Sequence, residues 1–312
     1  MEELLFSLNA VVPLFLIVVL GFVFKNRGFI DDTFVEASTK VCFYVALPCL
    51  LFLNILQSDF RADFDLPLTS LCVGGTMVSL ALLWLITPRF IRNVSSSSAF
   101  IQTSFHSNSV LLGLPFIYNL VGQPGITKTA VVLIFMVPLL NILSVLVLYK
   151  NKQQGVGKAM LFKNICANPL IIAAVLGIIC SFFPLKPPQL LITPLGYMSD
   201  MAMPLALFTL GASVHFRGEQ AKLRLALISV LIKLTVLPIA VVLVACRMGF
   251  DPVQMAVILA MFAGPPAVAC FPLAFQMGAD HQLTSQAIVV GTGFSALTMF
   301  GFVFILRVMG FV

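Results

Sequence analysis

The chain has 312 residues, of which 60% are hydrophobic and 10% charged, with a mean hydropathy of +1.08 and a formal net charge of +6. This composition leaves too little polar surface to cover a soluble particle of such a size, so it excludes an ordinary water-soluble domain. The basic charge falls mostly in short segments between apolar runs and needs no nucleic-acid partner to explain it. The chain is therefore predicted to be an all-α polytopic membrane protein.

Ten apolar runs are long enough to cross a hydrocarbon core of about 30 Å, which takes roughly 20 residues per helix. The first run follows Met1-Glu2-Glu3 without a basic leader or a cleavage site, so it is predicted to be a retained helix and not a signal peptide. The predicted spans 1 to 10 lie near residues 5–24, 39–57, 67–87, 97–121, 128–149, 161–183, 190–214, 223–246, 253–277 and 283–308.

The two halves of the sequence repeat each other. Pro13–Gly21 recurs in similar form as Pro169–Gly177, and Ala46–Phe52 recurs as Ala202–Phe208, both at an offset of 156 residues. Because each copy holds an odd number of spans, the second copy enters the bilayer from the opposite face, and such inverted repeats are typical of transporters. The predicted domains are repeat 1 (residues 1–150, spans 1–5), a cytoplasmic linker (151–160) and repeat 2 (161–312, spans 6–10).

Lys and Arg residues predict the orientation of the chain. Of the 18 basic residues, 12 fall in the loops that follow spans 1, 3, 5 and 7, and cytoplasmic loops hold the excess of such residues. Both termini are therefore predicted to face outward, in an integral protein of the cell inner (plasma) membrane.

The sequence indicates neither an enzyme nor a metal site. All seven cysteines lie in predicted spans, without the spacing of a Cys or His metal site, and they are predicted to be small core residues. The chain has no P-loop, dinucleotide fingerprint, HExxH motif or nucleophile elbow. Ser-His-Asp chemistry is not excluded, but no spacing suggests it, and no cofactor is predicted.

Spans 4 and 9 carry helix-breaking or polar residues at matched positions. Pro265-Pro266 removes two backbone donors in span 9, and Asn108, flanked by Ser107 and Ser109, stands at the equivalent position of span 4. Proline is common in transmembrane helices, so one kink would mean little, but two at matched repeat positions indicate a substrate site. The half-helices beyond such breaks would present N–H groups that suit a carboxylate. The residues that mark the breaks are Gly113, Pro115, Gly264 and Pro272.

Three ionisable residues fall at predicted membrane depth, where buried charges are costly and functional by default. Lys233 would either attract an anion or form a structural charge pair. Asp200 would either carry a proton or face water in a vestibule, and His106 would either titrate near neutral pH or serve as a hydrogen-bonded structural residue.

Several motifs resemble the auxin efflux carrier family, which includes plant PIN-type auxin exporters and bacterial malate or malonate permease-like carriers. The resemblance covers nearly the whole chain. The motifs that carry it are Tyr44–Phe52, Ser107-Asn108-Ser109 running to Gly113-Leu114-Pro115, Met203–Ala212, and Pro265-Pro266-Ala267 running through Phe271-Pro272-Leu273-Ala274 to Gln276-Met277-Gly278.

This resemblance implies ten helices in two inverted five-helix repeats that cross at broken helices 4 and 9. It further implies a scaffold of spans 1, 2, 6 and 7, a moving transport domain of spans 3–5 and 8–10, elevator-type alternating access and a homodimer formed through the scaffold. The family's site, carried onto matching positions, places Asn108, Ser107 and Ser109 around the substrate and has Pro265, Pro266 and Ala267 shape it. The chain lacks the large hydrophilic loop of the long plant exporters, which favours the compact bacterial type.

The sequence therefore predicts a secondary transporter of small organic anions, chiefly carboxylates, whose partners are its substrate and the lipid bilayer. One alternative is a sodium-coupled organic anion symporter of the bile-acid type, although no acidic cluster stands at the predicted crossover to supply sodium ligands. An anion channel and a membrane receptor are further alternatives, and no output domain favours the receptor.

Overall fold

The computed structural model describes residues 16–56, 65–109, 113–149, 167–183, 187–213 and 220–308, and their regular structure is helical. The predicted linker 151–160 lies outside these ranges, as does Cys166. The helices are α1 Leu16–Asn26, α2 Asp32–Leu56, α3 Leu66–Phe90, α4 Val94–Phe105, α5 Leu114–Tyr149, α6 Pro169–Phe182, α7 Gln189–Ser213, α8 Lys222–Met248, α9 Pro252–Ala263, α10 Cys270–Gln276 and α11 His281–Val308.

Within the described residues, five helices are long and apolar enough to cross a membrane, and six if the bent helix α11 is included. The prediction of an all-helical membrane protein is confirmed in this coarser form, whereas the count of ten spans is not. Predicted spans 4 and 9 are divided into shorter helices, and α6 and α9 each have fewer residues than a full span needs. Parts of predicted spans 1, 4 and 6 lie outside the described residues.

Polar caps set where several helices begin. The side chains of Asp31, Asp65, Asn93 and Asn168 accept hydrogen bonds from the first turns of α2, α3, α4 and α6. Asp251 begins α9 with a reciprocal capping box, in which Gln254 bonds back to the Asp251 backbone. Each cap satisfies an N–H group that a helix leaves without an internal partner. The helix starts therefore follow from local sequence.

Two long helices contain local departures from α-geometry. Helices α2 and α8 each include a π-helical turn, at Cys42–Ala46 and Ile232–Val236. In α5 the backbone at Gly122 has φ 69° and ψ −153°, a conformation that only glycine adopts without strain. The chain therefore bends at Gly122, between a short segment from Leu114 and the long apolar segment that ends at Tyr149.

Helices α1, α2, α6 and α7 form one packed group through close glycine contacts. A Cβ atom on Gly21 of α1 would overlap the carbonyl group of Phe208 on α7. On Gly177 of α6 it would lie 3.0 Å from the Cβ of Ile55 on α2 and 3.2 Å from the carbonyl oxygen of Phe52. Gly21 and Gly177 are equivalent in the sequence repeat, as are Phe52 and Phe208, so the two copies pack crosswise through the same pair of positions.

The remaining helices, α3 to α5 and α8 to α11, form a second group that is packed around α9. Every side chain of α9 from Met255 to Ala263 is at least 96% buried. This helix contacts α3, α5, α8 and α11, and its apolar residues join theirs in one core. Because a helix that is apolar on all sides must be covered on all sides, α9 is the central helix of this second group.

Polar networks tie this second group together at both of its ends. At one end the Asp65 carboxylate accepts from Gln254 Nε2 (2.6 Å) and from Lys128 Nζ (3.3 Å), which links the starts of α3 and α9 to α5. At the other end Ser96 Oγ donates to Asp280 Oδ2 (2.8 Å) and Lys222 Nζ lies 3.7 Å from Asp280 Oδ1. The second network links the starts of α4, α8 and α11.

Candidate functional site

The residues that follow α4 and α9 pair with each other as two short extended segments. The Asn108 N–H donates to the Pro265 carbonyl (2.8 Å), and the Ala267 N–H donates to the His106 carbonyl (3.0 Å). Ser107 and Pro266 thus form an isolated antiparallel bridge. The two paired segments, His106–Ser109 and Gly264–Ala267, are called the crossing. Proline has no N–H group, so the neighbouring carbonyl and amide groups are those that need partners here. Each interruption satisfies the other's backbone, which non-helical segments at membrane depth require.

The structure places the residues that mark the predicted breaks at the helix ends beside this crossing. Gly264 follows the last residue of α9 in an extended conformation, and its carbonyl accepts from Ser107 Oγ (3.2 Å). A Cβ atom on Gly264 would lie 3.1 Å from the same hydroxyl oxygen, so only a small residue fits. Pro115 and Pro272 lie in the first turns of α5 and α10, where helical structure resumes. Gly113 is buried against Ala260 of α9.

A cavity of about 200 Å³ opens beside the crossing. It lies between the two groups of helices, because α2, α6 and α7 form one wall while α5 and the crossing segments form the other. Among the described residues, the lining contains no carboxylate or ammonium group. Its polar members are Asn54, His106, Ser107, Asn108, Ser109 and Asn141, and its apolar members include Leu47, Leu51, Leu140, Leu170, Met203 and Ala267.

Asn108 presents an amide group that the protein does not satisfy. The residue is 96% buried, and its backbone is fixed by the bond to Pro265. Its Nδ2 atom has no hydrogen-bond partner among the described residues. A buried donor left unpaired costs about 1–3 kcal/mol, and a ligand oxygen that accepts from it would recover this energy. Asn108 therefore lines the cavity and carries a buried amide nitrogen that has no partner among the described residues.

The two serines beside Asn108 have a different role. Ser107 Oγ donates to the Gly264 carbonyl (3.2 Å), and Ser109 Oγ donates to the Met261 carbonyl (3.5 Å). Both hydroxyl hydrogens are thus directed at the last turn of α9 rather than at the cavity. Of the three polar residues that the sequence groups together, Ser107 and Ser109 donate to the α9 side, and Asn108 keeps an amide nitrogen without a partner among the described residues.

His106 lines the cavity and is held from two sides. Its Nδ1 atom lies 2.6 Å from the hydroxyl oxygen of Ser144 on α5, and its carbonyl group accepts from Ala267. The ring is 96% buried. The geometry therefore agrees with a hydrogen-bonded structural role for His106, and the ring also lies beside the cavity.

Lys233 lies behind the crossing and does not line the cavity. Its side chain is 99% buried in the π-helical turn of α8, and Nζ donates to the Phe262 carbonyl (2.7 Å) in the last turn of α9. A cation at this position complements the negative end of the helix dipole. The ion pairs among the described residues do not include Lys233, so the predicted charge pair is not seen there.

Asp200 is separate from this region. It is exposed on the surface of α7, well inside that helix, and it does not line the cavity. The structure therefore brings His106 to the site, places Lys233 next to it and leaves Asp200 outside it.

Two further amides line the cavity that the sequence analysis missed. Asn54 projects from α2 and Asn141 from α5, where Asn141 Nδ2 also donates to the Val137 carbonyl (2.8 Å). Both stand in a Leu-Asn-Ile-Leu sequence, as the single amide of an apolar run. This shared sequence was the available signal, because an isolated polar residue in a membrane helix commonly faces a cavity or another helix.

Comparison with known proteins identifies the family. The profile of the family described as "Membrane transport protein" matches residues 6–160 and 152–303, which together cover most of the chain. An "Uncharacterized transporter" of Methanothermobacter thermautotrophicus is 24% identical over 303 residues, covering 94% of this chain and 96% of the relative. A protein of Rhizobium meliloti named "Putative malonate transporter" is 27% identical over 282 residues, covering 85% and 84% of the two chains.

These matches confirm the resemblance to the auxin efflux carriers that the motifs indicated, and the apolar helices agree with an integral membrane protein. The relatives' names describe transporters and no catalytic activity. The chain belongs to the membrane transport protein family of the auxin efflux carriers.

Proposed function

We propose that this protein is a secondary transporter of small carboxylates that binds its substrate at the crossing of the two interrupted helices. The observation that carries the proposal is the Asn108 side-chain amide beside a cavity of about 200 Å³. The residue is fixed by backbone pairing and buried, and its Nδ2 atom has no partner among the described residues. Membership of a transporter family and the name of the Rhizobium relative support a carboxylate as cargo.

The chemistry of the cavity suits a carboxylate. The side chains of Asn54, Asn108 and Asn141 line it from three different elements. No acidic side chain of the described residues lines it, so an anion meets no like charge from them. The buried ammonium of Lys233, behind the crossing, adds a positive potential that water screens little in so buried a place. The apolar part of the lining would contact the carbon chain between or beside the carboxylate groups.

We propose that transport follows an elevator mechanism, in which α3 to α5 and α8 to α11 move as a unit past α1, α2, α6 and α7. The polar networks at both ends of the group formed by α3 to α5 and α8 to α11 support its movement as one body. The close glycine contacts among α1, α2, α6 and α7 support that group as the fixed scaffold. The cavity lies between the groups, so relative movement would open it to one side of the membrane and then to the other.

The proposal includes ten spans in two inverted repeats. The crosswise packing of Gly21 with Phe208 and of Gly177 with Phe52 supports it, since these residues are equivalent in the sequence repeat. It also includes a plasma-membrane location with both termini outside, as the basic residues predict. A homodimer formed through the scaffold is a further part of the proposal, and the mass of the purified protein in detergent would test it.

The first experiment is a thermal-shift titration with malonate and other small carboxylates, followed by uptake of labelled malonate into proteoliposomes. A ligand that binds only the folded state at 100 times its Kd adds about 2.7 kcal/mol of stability. We expect carboxylates to stabilise the unchanged protein and to be taken up with saturation. Asn108→Ala should lose both effects, whereas Asn26→Ala, which changes an exposed asparagine at the end of α1, should keep both.

Equal stabilisation of the unchanged protein and Asn108→Ala would contradict the site. The absence of any carboxylate binding or uptake would contradict the function. Replacing sodium with potassium at constant ionic strength tests the sodium-coupled symporter alternative. Uptake that stops without sodium would favour that alternative. Flux that neither saturates nor shows counterflow would favour a channel.

A further inference from the structure

A second cavity of about 200 Å³ lies on the same seam between the two groups of helices. Elements that line the first cavity also line the second, one helical turn further along. On α2 Phe43 stands four residues before Leu47, and on α5 Val145 stands four residues after Asn141. One turn of helix rises about 5.4 Å, so the two cavities lie nearly end to end.

The second cavity lies toward the ends of α5 and α6 that the predicted cytoplasmic linker joins. Tyr149, the last residue of α5, lines it, as do Asn168 and Pro169 at the start of α6. Gln276 and Met277 close it at the end of α10. A solute that leaves the crossing toward this side would therefore meet the second cavity on its way.

Asn168 gives this cavity an anion-binding character. The residue is 92% buried, and its Oδ1 atom accepts from the Leu170 N–H (3.0 Å) as the cap of α6. That single bond uses the oxygen and leaves the two Nδ2 hydrogens without a protein partner in the part of the chain that the structure describes. The amide stands at the positive end of a 14-residue helix, where negative charge is favoured. The described residues that line the cavity include no acidic side chain.

We propose that the second cavity is a carboxylate station between the crossing and the cytoplasmic face, at which the Asn168 amide, at the positive end of α6, holds the substrate in transit. This inference rests on the proposed function, since the ligand is the same carboxylate. The passage of the substrate between the crossing and the cytoplasmic face would then depend on Asn168, which lies outside the crossing. The first cavity sets equilibrium binding, and the second sets how fast the substrate leaves or arrives.

Two substitutions at Asn168 test the station while they keep the helix cap. Asn168→Asp retains an oxygen that caps α6 and replaces the amide donors with a negative charge, and Asn168→Ser retains a capping oxygen and removes the amide. We expect both variants to keep the malonate-induced thermal shift of the unchanged protein. Initial malonate uptake should fall about tenfold or more in Asn168→Asp, because like charges repel across a close contact, and severalfold in Asn168→Ser.

A labelling measurement covers the case in which neither variant folds. Gln276→Cys should react with a small anionic thiol reagent, and malonate should slow that reaction severalfold relative to the same concentration of chloride, with the unchanged protein as background. Uptake in both Asn168 variants at the rate of the unchanged protein would overturn the station and leave the crossing site standing. Labelling that malonate does not slow would overturn it too. If the unchanged protein neither binds nor moves carboxylates, the proposed function fails and the station fails with it.

Discussion

The two interruptions that meet at the crossing occupy matched positions in the sequence repeat, yet they are built from different residue types. The α4 side supplies hydrogen-bonding side chains, His106 to Ser109, whereas the α9 side, Gly264 to Ala267, supplies none. What the α9 side contributes is backbone: two carbonyl groups that accept from α4 residues and one amide that donates back. Repeat 1 thus supplies the polar side chains of the crossing, and repeat 2 supplies the backbone groups that hold them in place.

The α9 side depends on neighbours that the α4 side does not need. Lys233 satisfies the Phe262 carbonyl in the last turn of α9. Gly291 of α11 lets the chain approach Pro266, because a Cβ atom there would lie 2.6 Å from the proline Cδ. The α4 side is held instead through its own side chains, by Ser107 on Gly264 and by His106 on Ser144. Substitutions on each side should therefore fail in different ways.

The largest effect is expected from Lys233→Met. Methionine removes the positive potential behind the site and leaves the Phe262 carbonyl unpaired, at a cost of about 1–3 kcal/mol. It also relieves the cost of burying an ammonium group, which offsets much of that loss. We expect carboxylate uptake to fall about tenfold or more while the unfolding free energy changes by less than about 2 kcal/mol.

Lys128→Met is the matched control for this change, since Lys128 lies in the polar network at the end of the bundle and is 30% exposed. It should leave uptake within about twofold, because a partly exposed ion pair contributes little. Unchanged uptake in Lys233→Met, together with a large loss of stability, would reduce Lys233 to a structural cap of α9.

Gly291→Ala should have the next largest effect, on the shape of the α9 side. The added methyl group meets a rigid proline ring, so α11 must shift away from the crossing, and overpacking of this kind costs about 1–3 kcal/mol. Thermal unfolding and uptake should both decline. Gly301→Ala on the same helix is the control: nothing lies within 4 Å of its added methyl group, and alanine there should leave stability unchanged or raise it by up to about 1 kcal/mol. Equal stability of the two variants would contradict the close approach to Pro266.

His106→Gln tests whether the α4 side couples transport to protons. Glutamine can still bond to Ser144 but does not titrate. We expect an acid-outside gradient to accelerate uptake severalfold in the unchanged protein and to have little effect in His106→Gln. The readout is the initial uptake rate across a series of external pH values at fixed internal pH. Uptake by the unchanged protein that ignores both pH and the gradient would remove His106 from any coupling role.

The smallest effect is expected away from the crossing, at Asp65. Burial alone would raise the pKa of this carboxyl group, but hydrogen bonds from Gln254, Leu68 and Lys128, together with the Lys128 charge, outweigh it and hold the pKa below its ordinary value. The folded protein thus favours the carboxylate, and the stabilisation is complete above about pH 4, the ordinary Asp pKa. It is lost as the pH falls through the lowered value.

Asp65→Asn should consequently cost about 1 kcal/mol or less at pH 7 and almost nothing at the lowest pH at which the protein stays folded. Unfolding temperatures of both proteins across this pH range provide the measurement. A difference that stays constant with pH would show that the charge of Asp65 does not account for it, since asparagine keeps the helix cap. Uptake at pH 7 should remain near that of the unchanged protein.

Some features of the molecule could be predicted from the sequence, and others could not. The helical membrane class follows from composition, and the helix starts follow from capping residues such as Asp251. The crossing could be anticipated at Pro265-Pro266, because proline lacks the donor that a continuous helix needs. Its partner could not be, since pairing between residues 157 apart in sequence, such as Ser107 and Gly264, is a property of the packed chain.

Individual side chains were harder to assign. Asn54 and Asn141 were missed, because one amide in an apolar run carries no information about which face it occupies until the helix is packed. Asp200 drew attention as a charge within an apolar segment, but its side chain is exposed. The sequence analysis also grouped Ser107 and Ser109 with Asn108, although their hydroxyl hydrogens are directed at α9. Which member of a polar cluster stays unpaired depends on distances that only the fold determines.

The most direct test of the central claim is an experimental structure of the protein saturated with malonate, determined by electron cryomicroscopy. We expect ligand density in the cavity between α2, α5 and the crossing, with a carboxylate oxygen within hydrogen-bonding distance of Asn108 Nδ2. Density for malonate elsewhere, with this cavity empty and the Asn108 amide still unpaired, would contradict it.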